Sequence, residues 1–150
     1  MKRILKLITL SFILCFVLTS FNSRQQNKEL VTSINYTVNY GECMRKECFV
    51  EKIYNQYFLI TTKKTLDKSV QNSTIDSVVM ENIRWQNILK YVDLEEFKKL
   101  PGKINCSDSE NIETEMIEIS TNQNKYKIIF KNEARIKSIA GLLVVLRNRK

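Results

Sequence analysis

The chain has 150 residues, 43% hydrophobic and 27% charged, with three Gly and one Pro. That is enough for one domain with a real core, and it leaves little room for low-complexity segments. It carries 24 basic against 16 acidic residues, a formal +8, and no histidine, which excludes Ser-His-Asp and Cys-His nucleophile pairs, imidazole metal ligands and any imidazole pH switch.

Lys2, Arg3 and Lys6 precede an apolar run from Leu7 to Leu18, and Thr19 to Ser23 then turn small and polar. This charged, apolar and cleavable order predicts a secretory signal over residues 1–23, cut near Ser20 or Ser23, and a secreted or periplasmic product. The run is shorter than the roughly 20 residues a membrane span needs, so no stable span is expected after cleavage. Cys15 is not expected to be lipidated, because Leu14 stands where that processing needs a small residue. Removing residues 1–23 takes three of the 24 basic residues and no acidic one, leaving a net +5. A modest excess suits weak binding to anionic surfaces, but it is not the concentrated basic stripe of a nucleic-acid footprint.

The remainder, 24–150, reads as a single α+β domain: an antiparallel sheet built from hairpins, with a central and a C-terminal helix packed on it. Residues 24–30 form a polar lead-in. Ile34, Tyr36, Val38 and Tyr40 alternate with Asn35, Thr37 and Asn39, the period of a half-buried strand. Tyr40 to Cys48 makes a turn that holds the chain's first glycine and two cysteines. Phe49 to Tyr54 and Tyr57 to Thr62 predict a hairpin joined at Asn55-Gln56. Lys63, Lys64 and Lys68 mark an exposed segment, and 70–78 fits a short strand or a loop.

Met80 to Tyr91 predicts a helix with Trp85, Ile88, Leu89 and Val92 on its apolar face; Trp85 is expected in the core. Asp93 and Glu96 have capping-box spacing, and Val92 and Phe97 staple spacing, for a short helix over Leu94–Leu100 that Pro101-Gly102 ends. A polar loop is expected over 103–114. Glu115 to Ser120 and Lys125 to Lys131 predict a second hairpin, with Tyr126, Ile128 and Phe130 on one face. Ala134 to Arg147 predicts the closing helix, striped by Ile136, Ile139, Ala140, Leu143 and Leu146; Arg147, Arg149 and Lys150 complement its dipole.

The cysteines Cys43, Cys48 and Cys106 are the sharpest chemical feature. Export favours a disulfide. A Cys43–Cys48 bond closes a short loop. A bond from either one to Cys106 closes roughly 60 residues and constrains the unfolded chain more, by about 4 kcal/mol, and it is the favoured expectation. Cys-x4-Cys is not the redox spacing, and zinc lacks a fourth ligand. Asp108, Glu110, Glu113, Glu115 and Glu118 lack the spacing and turn glycine of a calcium loop and read as a solvated loop and strand edge. Catalytic, metal-ligating and cofactor-binding residues are therefore assigned to none.

In layout the chain resembles a group of small exported bacterial proteins. They have a strand, a Gly- and Cys-containing turn, a hairpin, a Trp-bearing helix, a Cys-Pro-Asp-Cys loop, a Trp-Ile-Glu-Ile-like strand, a further strand and a closing helix. The matching stretches are Tyr40 to Cys48, Trp85 to Leu100, Asn105 to Ser109, Met116 to Ile119, and Tyr126 to Phe130. Ser107 and Ser109 replace the loop's Pro and second Cys, which accounts for an odd cysteine here. The resemblance implies export and an α+β fold, and it brings no assigned activity. Together these features favour an exported, non-catalytic binding or accessory domain whose partner is a protein or envelope component. The alternative is a thiol-based redox protein, or another enzyme, using Cys43, Cys48 and Cys106.

Overall fold

The computed structural model describes residues 28–41, 47–67, 70–106, 113–131 and 136–148. The expected signal segment, Cys15, Cys43, Asp108, Glu110, Arg149 and Lys150 lie outside these residues. Seven strands form one mixed, mostly antiparallel sheet: β1 (Val31–Asn39), β2 (Glu47–Asn55), β3 (Phe58–Asp67), β4 (Val70–Val79), β5 (Lys103–Ile104), β6 (Thr114–Thr121) and β7 (Lys125–Lys131). The spatial order is β4-β3-β2-β1-β6-β7-β5, and only β5 pairs in parallel, with β7. Helices α1 (Asn82–Leu89) and α2 (Leu94–Lys98) connect β4 to β5. The chain closes with a 3-10 turn, Lys137–Ile139, and α3, Ala140–Arg147. The fold is α+β, as the hairpin pattern predicts.

Alternation sets the layers. Ile34, Tyr36 and Val38 of β1 share a face with Val50 and Tyr54 of β2, Ile117 and Ile119 of β6, and Ile128 and Phe130 of β7. All are buried, and all but Val50 form one cluster with Trp85 and Ile88 of α1, Phe97 of α2, and Leu142, Leu143 and Leu146 of α3. The helices therefore cover this face of the sheet's centre. Trp85 is 3% exposed and sits in the core as its periodicity requires. In α3 the buried stripe runs through Leu142, while Ala140 faces outward.

Local chemistry fixes the junctions. Asp93 accepts the Glu96 amide at 3.0 Å, the expected cap, worth about 1 kcal/mol. Glu96 does not complete the box; its carboxylate turns to Lys99. Asn55 Oδ1 accepts the amides of Tyr57 and Phe58 at 2.8 and 2.9 Å and folds the β2–β3 turn. Gly41 takes φ 65° just after β1, a left-handed conformation that suits glycine.

Three expectations need correction. Residues 70–79 are a full ten-residue strand, paired with β3 throughout. The expected loop after Gly102 begins with β5, because Ile104 can half-bury itself beside Phe130 of β7. The lead-in is tied down at its end: Leu30 and Asn122 exchange hydrogen bonds, with the Leu30 amide on Asn122 Oδ1 at 2.9 Å and the Asn122 amide on the Leu30 carbonyl at 3.0 Å. Beside them the Glu29 carboxylate accepts from Thr121 and Tyr126 and meets Lys98 at 2.7 Å.

Candidate functional site

Beyond the helices, β3 and β4 carry the sheet outward. Leu59, Thr61 and Lys63 continue the core face from Tyr54, Lys52 and Val50, and Val78 and Asp76 continue it from Leu59 and Thr61. With Arg84 of α1 and Arg147 and Asn148 at the end of α3, this wing encloses a cleft of about 540 Å³, within the usual range for ligand sites, roughly 300–1,000 Å³.

Glu115 forms one wall. It is in phase with Ile117 and Ile119 and lies opposite Val38 on one side and Phe130 on the other, so its carboxylate is carried into the apolar layer and is 1% exposed. A buried carboxylate demands partners. Tyr36 donates its hydroxyl to Glu115 Oε2 at 2.6 Å. Arg147 donates Nε to the same oxygen at 3.1 Å and Nη2 to Oε1 at 2.6 Å, a bidentate fork. Burial, and then the hydrogen bond to Glu115, push the Tyr36 phenol far above the usual tyrosine range. The bond to Glu115 also raises the Arg147 guanidinium.

The end of α3 is held by the sheet. Lys52 donates to the carbonyls of Leu146 and Asn148 at 3.1 and 3.3 Å, and Tyr54 donates to Leu146 at 3.4 Å. A cation thus meets the negative end of the helix. The expected role of Arg147 at that dipole passes to Lys52, because Arg147 is committed to Glu115. Burial raises the Tyr54 phenol to about 12, against the pull of Arg84.

Chemically this wall is a closed network. Both Glu115 oxygens are engaged, and Tyr36 spends its proton on one of them, so neither side chain is placed as a base toward the cleft. Around them Lys52, Lys63, Arg84 and Arg147 are matched by Glu47, Asp76, Glu113 and Glu115. The site is aromatic, two-signed and suited to holding a ligand.

The described cysteines, Cys48 and Cys106, are not brought together. Cys48 is buried on β2. Cys106 follows β5 and directs its sulfur to the carbonyls of Ile104 and Ile129, each at 3.5 Å. β1, β6 and β7 lie between β2 and β5, about 19 Å at normal strand spacing, against the roughly 4.4–6.8 Å between Cα atoms that a disulfide spans. Cys106 alone of the described cysteines carries a free thiol, which overturns the favoured long-range tie to Cys43 or Cys48.

The acidic run also divides. Glu113 lines the cleft, Glu115 is the buried hub, and Glu118 points to the opposite face, 3.8 Å from Lys125. The solvated reading therefore fails for Glu115, and its phase with Ile117 and Ile119 is the sequence signal for that. Among the described residues no group of His, Cys, Asp and Glu could hold a metal ion, and no helix is long and apolar enough to cross a membrane. No family model matches the chain, and no curated protein matches it significantly.

Proposed function

We propose that this chain is a small exported binding or accessory module, non-catalytic, which holds part of an envelope or secreted protein in the cleft between its β3–β4 wing and the ends of α1 and α3. The observation that supports this most is the closed Tyr36–Glu115–Arg147 network on the cleft wall: a costly buried charge, fully partnered, that shapes the site with its own side chains engaged in one another. Because the lining charges are balanced, the preferred partner carries both signs beside apolar groups, and simple adhesion to an anionic surface is the weaker reading.

In the same account residues 1–23 act as the export signal, and the covalent tie of the mature chain is the short Cys43–Cys48 bond. The Tyr40 amide on the Cys48 carbonyl at 3.1 Å brings the ends of that turn together, and Cys106 takes no part. The redox alternative would rest on Cys106 alone, with no second described thiol in reach.

The test uses the immobilised mature chain and native envelope extract. Wild type should retain a saturable partner, and Lys63→Glu, at an exposed position on the cleft rim, should lose it. Equal retention by both would remove the cleft from the account. Thiol–disulfide exchange activity that disappears in Cys106→Ser would favour the enzyme.

A further inference from the structure

The face of the sheet turned away from the helices gathers positive charge at one end. Ile128 and Phe130 of β7 are buried in the core, so Lys125, Lys127, Ile129 and Lys131 point to the other face. β5 adds Lys103 opposite Ile129, while its neighbour Ile104 packs on the core. On the other side β6 sets Glu118 opposite Lys127 and Met116 opposite Ile129. At normal strand geometry Lys125, Lys127, Lys103 and Lys131 stand at about 0, 7, 13 and 20 Å along one line, with Lys103 about 5 Å to its side. Lys103 and Lys127 are exposed and Lys131 is half-buried; the Lys125 side chain is 73% exposed. Among the described residues the row makes one ion pair, Lys125 with Glu118 at 3.8 Å.

We infer that this row is a docking surface for an extended acidic peptide lying along β7. Like charges in a line repel one another, and an anionic partner relieves that repulsion. The form of the row selects among anions. A bilayer calls for cations spread over a plane, but the rest of this face carries Glu51 and Lys64 as its charges among the described residues, one of each sign. A nucleic-acid strand calls for aromatic platforms under its bases, and the aromatic residues of β7, Tyr126 and Phe130, turn to the core side. A uniform polyanion would set a charge against Ile129 and Met116, the half-buried apolar pair in the middle of the row. An extended peptide repeats every second residue at about 7 Å, which is the spacing of the lysines. It can bring carboxylates to the lysines and an apolar side chain to Ile129. The cleft lies on the helix side of the sheet, so this surface is separate from it and stands whether or not the cleft holds a ligand.

The probe is a fluorescently labelled peptide with glutamates at alternate positions, one valine among them and threonines between. Anisotropy with the mature chain should show saturable binding in about 20 mM salt, weakened at least about tenfold at physiological salt. Lys125→Gln combined with Lys127→Gln, both at exposed positions, should weaken binding at least about tenfold at low salt with an unchanged circular dichroism spectrum. Lys63→Glu, on the cleft rim, should change it by at most about twofold, which separates this surface from the cleft. A peptide of the same composition with its glutamates contiguous should bind at least about threefold more weakly. No binding at low salt would overturn the proposal. So would indifference to the lysine substitutions, loss on Lys63→Glu, or equal affinity for the contiguous peptide. Tighter binding to phosphatidylglycerol vesicles or to a single-stranded oligothymidylate, abolished by the same double substitution, would overturn it in favour of a membrane or a nucleic acid.

Discussion

Glu29 shows how a single carboxylate can pin a segment. It stands just before β1, yet it accepts from Thr121 at 2.6 Å and from Tyr126 at 3.0 Å and pairs with Lys98 at 2.7 Å, joining the lead-in to a hairpin turn and to α2. Lys98, and then Thr121, hold its carboxyl at about 2, below the ordinary 4.5. A lowered folded-state pKa means the stabilisation is present in full above about 4.5 and is lost as pH falls toward about 2. Glu29→Gln should therefore be less stable than wild type at neutral pH, with the gap closing across that acid range when denaturant midpoints are compared. A gap independent of pH would mean that the carboxylate's charge contributes nothing. The composition of residues 24–30 gave no hint of this contact, because the partners of Glu29's salt bridge and hydrogen bonds, Lys98, Thr121, Asn124 and Tyr126, lie about 70 to 100 positions away along the chain.

Elements were readable where burial differs between faces. β1, β2, β6 and β7 alternate because one side of each meets the helices, and Trp85 and Ile88 mark the inward side of α1. Trp85→Ala should cost about 3–5 kcal/mol in urea unfolding, as large aromatic truncations in cores do; a loss below about 1 kcal/mol would place the indole outside the core. β4 escaped because it is exposed on both faces, so no alternation is imposed, and its strand state comes from pairing with β3. Gly141 escaped for a different reason. A β-carbon there would lie 2.7 Å from Tyr91 Cδ1, a tertiary contact with no local signature. Helix propensity alone favours Ala over Gly by about 1 kcal/mol, whereas overpacking costs about 1–3. Gly141→Ala should thus be net destabilising, and stabilising once Tyr91→Ala removes the ring. The same sign in both backgrounds would contradict the contact.

At the scale of the whole molecule, order within the sheet decides which distant residues meet. It separates Cys48 from Cys106 by three strands. Alkylation without reductant should accordingly label Cys106 once the chain is opened by denaturant and should recover a peptide linking Cys43 to Cys48; a peptide linking Cys48 to Cys106 would refute the strand order. The same topology brings β6 beside β1 and under the end of α3, so that Tyr36, Glu115 and Arg147, far apart in sequence, become one network. Glu115 resisted a sequence reading because charge ordinarily predicts exposure, and only its phase with Ile117 and Ile119 argued otherwise. The central claim is that this network holds the cleft in shape. It is tested most directly by a double-mutant cycle of Glu115→Gln and Arg147→Gln in urea. Arg147→Gln alone should cost toward the lower end of about 3–5 kcal/mol, since Glu115 is left buried while Arg147 is 39% exposed. The two substitutions should couple by about 1–3 kcal/mol. Additive effects, with no coupling beyond about 0.5 kcal/mol, would show that the pair does not hold α3 to the sheet and would contradict the account.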